Sequence, residues 1–185
     1  MGTIHAISGV TGIETGDDTL SFVTYQDDKA VNAYSGGPGS YARADFGEWN
    51  CTGSTVTNIY AKGGGANGVR LAGAMNVALS NVTVEGKLRA VIADCGKKEG
   101  NKHSWSWLAS RGITISNVVG IGCTSGFYVS NFNQPMTIDD IDKGYLDIHN
   151  CRGLTCESVR ITHPVGEGLR VSHILGSRLD GISIE

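Results

Sequence analysis

Short apolar-alternating segments recur along this chain in one register, and each is interrupted at the same place by a residue that tolerates a bend. These pivot residues are Gly9, Asn58, Asn81, Asn117, Ser158 and Gly181, with spacings of 49, 23, 36, 41 and 23 residues. Around Asn81 the pattern predicts strands at Val77 to Leu79, Val82 to Val84 and, after a glycine-centred loop, Ala90 to Ala93. A sharp bend between two strands requires positive φ, which Gly and Asn adopt most readily. The recurring pivot therefore predicts many short strands joined by tight bends.

A second type of segment follows four of the pivots by ten or eleven residues and reads apolar, polar or amphipathic, apolar. The four segments are Leu20-Ser21-Phe22, Val69-Arg70-Leu71, Phe127-Tyr128-Val129 and Leu169-Arg170-Val171. A repeat of roughly 20 to 25 residues, with short strands that cannot bury a core alone, is typical of a solenoid. We therefore expect one all-β solenoid domain over residues 1–185, with about six rungs and loop insertions. The chain begins and stops within a rung, which predicts an excised segment of a longer chain.

The composition is compatible with this fold and argues against several other classes of protein. Twenty-seven glycines and three prolines suit many tight bends, and a net charge of −3 argues against a general nucleic-acid binder. The sequence has no apolar run of about 18 residues and no signal peptide at its N-terminus, so membrane insertion is not expected. The five cysteines include no close CxxC pair. We therefore expect buried or half-buried thiols between rungs, with no metal site and no cofactor.

Three stretches interrupt the strand pattern. Residues 24–50 either contain a degenerate rung or project as a loop. Residues 96–111 place Trp105 and Trp107 among lysines; exposed Trp beside cations suits sugar rings that bear carboxylates, whereas packing against the solenoid wall or a neighbouring subunit is the alternative. Residues 130–148 carry four aspartates without the spacing of a calcium loop, which predicts a solvated acidic loop.

Stacking the repeats in register predicts two rows of side chains along the outer surface. One row contains Ser21, Arg70, Tyr128 and Arg170. A neighbouring row at its edge contains Asp18, Asn67, Arg89, Ser125 and Glu167. Neighbouring strands lie about 4.8 Å apart, so a groove of Arg, Tyr and carboxylate groups could hold several sugars of an acidic chain. Polar outward side chains are also what any solenoid requires.

Two adjacent carboxylates, Asp17 and Asp18, stand at the entrance to the strand that begins near Thr19. Adjacent carboxyl groups can divide the labour of catalysis, one staying protonated and the other ionised. In inverting glycoside hydrolysis one carboxyl protonates the leaving oxygen and the other activates water across a gap of roughly 6.5–9.5 Å. The alternative is that both are turn carboxylates that accept hydrogen bonds from backbone amides.

The segment from Ile13 to Phe22 resembles the Gly-Asp-Asp segment of the polygalacturonase family and of related phage tailspike depolymerases. The resemblance implies a single-stranded right-handed parallel β-helix, with Asp17 as general acid and Asp18 helping to activate water. Asn67-Gly68-Val69-Arg70-Leu71 resembles the family's later substrate-binding Arg-Ile-Lys segment, although only Arg70 carries over, because Ala72 replaces the lysine. The family's Gly-His-Gly segment is absent, and Gly63-Gly64-Gly65 is nearest in position. Its Asn-Thr-Asp segment would lie upstream of the residues present.

The resemblance implies a tailspike-like glycoside hydrolase that binds and degrades an acidic surface polysaccharide. Such proteins are usually homotrimers, so the resemblance also implies a homotrimer of the full-length chain, located in the virion tail or outside the cell. The candidate catalytic residues are Asp17 and Asp18. The candidate substrate-binding residues are Arg70, Tyr128, Arg170, Glu167, Trp105 and Trp107.

Two other functions stay open at this point. The first is a non-catalytic structural or carbohydrate-binding segment of a tail fibre, in which the carboxylates are structural. The second is a polysaccharide lyase whose base is Arg170 or an imidazole, for which His163 and His173 are candidates, although both also read as ordinary surface histidines. The sequence names neither the sugar nor the linkage.

Overall fold

The computed structural model describes residues 5–23, 25–26, 52–94, 97–98, 110–129, 151–172 and 174–185. Most of the predicted insertions at 24–50, 96–111 and 130–148 lie outside these residues, as do Trp105, Trp107 and His173. Within the described residues the chain forms strands and no helix, hence none long and apolar enough to cross a membrane. The predicted all-β class is confirmed.

Sixteen strands are present in the described residues, and six of them are long. The long strands are β1 (Ala6–Ile13), β4 (Thr55–Lys62), β6 (Ala78–Glu85), β10 (Thr114–Ile121), β13 (Thr155–Thr162) and β16 (Arg178–Ile184). A second set comprises β2 (Leu20–Val23), β5 (Asn67–Ala72), β7 (Arg89–Asp94), β11 (Ser125–Val129) and β14 (Leu169–Val171). The remaining two-residue strands are β3 (Tyr25–Gln26), β8 (Lys97–Lys98), β9 (Ser110–Arg111), β12 (Cys151–Arg152) and β15 (Ile174–Leu175).

These strands form parallel sheets that the chain visits in turn. The long strands make a six-stranded sheet in the order β1-β4-β6-β10-β13-β16, here called the first sheet. The second sheet has the order β14-β11-β7-β5-β2, and a third has the order β15-β12-β9. Isolated bridges from Thr52 to Met75 and from Met75 to Arg111 continue the third sheet. We call the stretch from one long strand to the next a pass of the chain. Each pass therefore adds one strand to each main sheet, in sequence order.

Left-handed corners set the length and the bend of every long strand. All six predicted pivots have positive φ, between 53° at Asn117 and 73° at Gly9, so that prediction is confirmed. Two further sets of positive-φ residues flank the long strands, five residues before and five residues after the pivots, as Gly53 and Gly63 do around Asn58. The sequence prediction found only the middle member of each set. The chain therefore changes direction at the same three positions around each long strand, where the backbone is in the left-handed conformation.

The strand boundaries differ from the prediction at the pivots. Separate strands were predicted on the two sides of Asn81, but β6 is one continuous strand that bends there. The pairing with β4 shows why, since Ser80 pairs with Thr57 and Val82 with Ile59 while the pivots themselves are skipped. The ladder thus resumes directly after each left-handed residue.

The core is a stack of equivalent apolar positions from successive passes. In the first sheet, Val56, Leu79, Ile115 and Cys156 occupy paired positions, and each is at most 1% exposed. The second sheet contributes, among others, Phe22, Leu71 and Phe127 from its inward side. Of the five cysteines, Cys123, Cys151 and Cys156 are buried free thiols, as predicted, while Cys51 and Cys95 lie outside the described residues.

The pivot asparagines also hydrogen-bond to one another along the first sheet. The Nδ2 group of Asn117 donates to Oδ1 of Asn81 at 3.3 Å, and that of Asn81 donates to Oδ1 of Asn58 at 3.3 Å. Asn58 in turn donates to Oγ of Ser8 at 3.2 Å. Asn at these positions therefore supplies both the left-handed backbone and a link between passes.

We predict that Asn81→Ala lowers the free energy of unfolding by about 1–3 kcal/mol, because Ala is strained at positive φ and the side-chain ladder is lost. Asn81→Gly also removes the ladder but relieves the strain, and so serves as the matched control. Chemical denaturation of the two variants measures the difference. Equal stability of the Ala and Gly variants would contradict the role assigned to the left-handed corner.

Candidate functional site

The second sheet brings the predicted outward side chains into two rows. Its register aligns Ser21 with Arg70, Arg70 with Ile92, Ile92 with Tyr128, and Tyr128 with Arg170. The neighbouring positions align Asn67 with Arg89 and Arg89 with Ser125, next to Asp18 and Glu167 at the two ends. The predicted register is confirmed, and Ile92 is an additional apolar member. Ile92 is 1% exposed and Tyr128 is 7% exposed, so the middle of the face is covered whereas Ser21 and Arg170 are exposed.

The acidic pair belongs to the connection between β1 and β2. We call Glu14 to Asp18 the acidic turn. The carboxylate of Asp17 accepts a hydrogen bond from the backbone N–H of Asp18 at 2.8 Å, and the Asp17 residue is exposed. The half-buried Asp18 accepts two hydrogen bonds at Oδ1, from the backbone N–H of Asn67 at 3.1 Å and from its Nδ2 at 2.7 Å. Asp18 thus ties the acidic turn to the next pass.

A run of glycines allows the next pass to approach this turn closely. A side chain at Gly64 would collide with the carbonyl oxygen of Thr15, and one at Gly65 with that of Gly16. Gly63 has a positive φ of 62°, which favours glycine there. The backbone N–H of Gly65 donates to the carbonyl of Thr15 at 2.8 Å. The glycine loop, residues Gly63 to Gly65, therefore lies directly against the acidic turn, which explains why three glycines stand together there.

Lys87 lies beneath the acidic turn and was not anticipated from the sequence. It is 1% exposed, in the corner between β6 and β7. Its Nζ group donates to Oγ1 of Thr15 at 2.8 Å, to the carbonyl of Gly63 at 3.1 Å and to the carbonyl of Asp17 at 3.4 Å. Burial lowers the pKa of this ammonium, against the opposing effect of the nearby carboxylates. From the sequence, a lysine between two strands is expected to be exposed. Its burial could not be predicted, because the acceptors of its hydrogen bonds belong to the two preceding passes.

Asn67 and Arg89 continue the contacts away from the acidic turn. Nη1 of Arg89 donates to Oδ1 of Asn67 at 3.2 Å, so the Asn67 amide bonds to Asp18 on one side and to Arg89 on the other. The guanidinium carbon of Arg89 lies 4.8 Å from the centroid of the Tyr128 ring. Burial lowers the pKa of Arg89, as expected for a half-buried cation.

Tyr128 lies between two guanidinium groups and contacts a carboxylate. The guanidinium carbon of Arg170 is 5.3 Å from the ring centroid, within the range of a cation–π contact. The phenol donates to Glu167 at 2.5 Å, and Nη2 of Arg170 donates to the other carboxylate oxygen at 2.7 Å. The hydrogen bond from Arg170 and, to a smaller extent, that from Tyr128 lower the pKa of Glu167. The hydrogen bond to Glu167 in turn raises the pKa of Arg170.

The resulting array, which we call the polar band, crosses the second sheet from β2 to β14. It consists of Asp18, Asn67, Arg89, Tyr128, Glu167 and Arg170. Four strand spacings of about 4.8 Å place its two ends roughly 19 Å apart. The predicted catalytic pair and the predicted Tyr128, Glu167 and Arg170 contacts therefore stand at opposite ends of one array.

The remaining candidates are distributed differently. Arg70 forms an ion pair with Asp94 at 2.8 Å, with side-chain exposures of 12% and 2%, so its charge is balanced within the protein. His163 is exposed and stands at a left-handed corner. Among the described residues, no group of three or more His, Cys, Asp or Glu side chains could hold a metal ion.

Comparison with protein-family profiles, with curated protein sequences and with solved structures finds no match for this chain. The resemblance of the segment around Asp17 and Asp18 to the polygalacturonase family therefore stays a prediction from sequence.

We predict that Arg170→Met raises the pKa of Glu167, because the strongest hydrogen bond that favours the carboxylate is removed. Since Glu167 has a lowered pKa in the folded state, its contribution to stability is present above the unfolded-state pKa and is lost as the pH falls through the folded-state pKa. Carboxyl NMR titration measures the change. Arg178→Met, which removes the exposed partner of Asp180, is the control. An unchanged pKa of Glu167 in Arg170→Met would contradict this interpretation.

Proposed function

We propose that this chain is a segment of a right-handed parallel β-helix of about six rungs that binds an acidic polysaccharide along the polar band and hydrolyses it at the acidic turn. The helix is supported by the regular alternation of the chain between parallel sheets and by left-handed corners that recur at fixed spacing in every pass. The right-handed sense is proposed from the resemblance and is supported by the strong preference of crossovers between parallel strands for that hand.

The observation that carries the binding proposal is the array of polar groups across successive strands. Asn67 and Tyr128 are buried, so the groups offered to a polymer are the exposed Glu167 and Arg170 at one end, the half-buried Arg89, and the exposed Asp17 at the other end. They are spread across strands about 4.8 Å apart, which suits a polymer that lies across the strands. The guanidinium groups of Arg89 and Arg170 flank the ring of Tyr128, and Glu167 contacts both the phenol and Arg170. Guanidinium groups beside an aromatic ring can pair with the carboxylate of an acidic sugar, which favours acidic over neutral polysaccharides.

Hydrolysis would use the acidic turn. Asp17, which is exposed, would donate its proton to the leaving glycosidic oxygen, and Asp18 would take a proton from the attacking water. The hydroxyl of that water then bonds to the anomeric carbon as the glycosidic bond breaks. This assignment rests on the resemblance of the Gly-Asp-Asp segment, together with the position of the turn at the end of the polar band.

A second candidate function, non-catalytic glycan binding in a tail-fibre segment, is favoured by the hydrogen bonds of the same carboxylates. Asp17 accepts from the amide of Asp18, and Asp18 accepts twice from Asn67. These are the contacts of turn-forming carboxylates. A lyase that uses Arg170 as base is less favoured, because its contact with Glu167 raises the pKa of Arg170 and so makes deprotonation harder.

We further propose, on the same resemblance, that the full-length protein is a homotrimer of a virion tail or an extracellular enzyme. Trp105 and Trp107 are proposed to extend the sugar-binding surface. The substrate is a polysaccharide, with no metal or organic cofactor.

We predict that incubation with capsular and pectic polysaccharides releases fragments heavier by one water, and that Asp17→Asn and Asp18→Asn each abolish this release. Mass spectrometry of the products measures both. Activity that survives both substitutions would exclude the acidic pair. Products that absorb in the ultraviolet would indicate unsaturated ends and hence a lyase, and no fragments from the unaltered protein would favour the binding function.

We also predict that Arg170→Gln weakens the binding of an acidic polysaccharide about tenfold, because a charged hydrogen-bond donor is lost. Isothermal titration calorimetry at low and high salt measures the effect, which salt should diminish. Arg178→Gln removes a guanidinium of the first sheet that is more exposed than that of Arg170, and this variant should bind as the unaltered protein does. Equal loss in both variants would indicate a non-specific charge effect.

A further inference from the structure

Lys87 is a buried cation whose hydrogen bonds converge on one turn. The Lys87 corner follows Gly86, and the equivalent place in the next pass, after Gly122, is occupied by the buried Cys123. An ammonium therefore stands at a position that is apolar in the neighbouring pass. A buried ammonium is costly unless all its donors are satisfied, and here each of three donors has an acceptor.

The acceptors show what this cation holds. Two of them, Oγ1 of Thr15 and the carbonyl of Asp17, belong to the acidic turn, 72 and 70 residues earlier in the chain. The third, the carbonyl of Gly63, belongs to the glycine loop that packs against the acidic turn. Lys87 thus connects three successive passes at the corner that carries Glu14, Asp17 and Asp18.

The charge of Lys87 is not neutralised by direct contact, since none of these three acceptors is a carboxylate. Glu14, Asp17 and Asp18 are nonetheless close enough to interact with it electrostatically. A positive charge beneath a turn that carries three carboxylates offsets their mutual repulsion, and the hydrogen bond to the Asp17 carbonyl fixes the backbone between the two aspartates.

We propose that Lys87 is a positioning residue that holds the acidic turn, and thereby Asp17 and Asp18, in place from the core side. The positioning itself follows from the contacts alone. Its consequence for hydrolysis rests on the function proposed above, so the two are tested by separate measurements.

The first measurement is hydrogen exchange of Lys87→Met, which keeps the length of the side chain and removes the charge and the donors. Four amides report on the acidic turn: those of Asp18, Thr19, Gly65 and Asn67. We expect them to exchange at least about tenfold faster than in the unaltered protein, while the amides of Gly122 and Gly153 in later corners are unchanged. Uniform acceleration everywhere, or none at these four amides, would overturn the proposal.

Two further variants keep the test decisive. Thr15→Val removes the nearest acceptor of Lys87, together with the contacts of the same hydroxyl with the Asp17 carbonyl at 3.0 Å and with Thr19 at 3.2 Å. It should accelerate the same amides even if Lys87→Met does not fold, and unchanged exchange of these amides would overturn the proposal. Arg160→Met removes an exposed cation of β13, four strands away from β1 in the first sheet, that pairs with Glu185 at 2.7 Å. It matches the charge change and should leave the four amides unaffected; acceleration there equal to that in Lys87→Met would overturn the proposal.

The second measurement separates positioning from binding. If the acidic pair hydrolyses a polysaccharide, Lys87→Met should lower kcat by about a hundredfold with KM changed less than about twofold, because misplaced catalytic groups affect the reaction more than distant binding contacts. A raised KM at constant kcat would overturn the role in positioning. Where the unaltered protein releases no product, the exchange measurement still decides the role of Lys87, and only the proposed hydrolysis fails.

Discussion

The backbone corners in the left-handed region are the constraint on which the rest of this structure depends. They recur five residues apart, as in Asn76, Asn81 and Gly86, and as in Gly112, Asn117 and Gly122. Because such corners are costly for most residues, Gly and Asn occupy most of them and thereby fix where each strand starts, bends and ends. Parallel pairing then aligns every pass with the previous one. The side-chain rows on both sides of the sheets are a direct result of that alignment.

Much of the scaffold could be predicted because it is encoded locally. The alternation of Leu20-Ser21-Phe22 and of Val69-Arg70-Leu71 placed Ser21 beside Arg70, and the pivots marked the bends. The contacts of the site could not be predicted in the same way. Lys87 reaches Thr15 across 72 residues, and no local pattern distinguishes this buried lysine from a surface one. The apolar Ile92 between Arg70 and Tyr128 likewise follows from the pass that the predicted row left out.

The polar band combines two electrostatic environments on one sheet. Before β2 the carboxylates of the acidic turn lie near a buried ammonium, and the guanidinium groups of β7 and β14 lie on either side of an aromatic ring of β11. Asn67 and Arg89 join these ends through side-chain hydrogen bonds and stacking. Such cross-strand contacts hold the side chains in place in the free protein, which would reduce the side-chain entropy lost on binding of the proposed polysaccharide. The exposed residues at the two ends, Asp17, Glu167 and Arg170, are those that the proposed polysaccharide would contact.

The regular corners also make each pass an exchangeable unit. A distance of 23 residues separates Gly53 from Asn76, and the same distance separates Gly153 from Gly176. Corners that are 36 residues apart, from Asn76 to Gly112, and 41 residues apart, from Gly112 to Gly153, have the same left-handed conformation. A duplication or deletion of one complete pass therefore conserves the pairing of those that remain, since each pass contacts chiefly its neighbours. The length of such a chain can therefore change by whole passes while the core of the remaining passes stays the same. The length of any polymer-binding surface on it would change by the same increments.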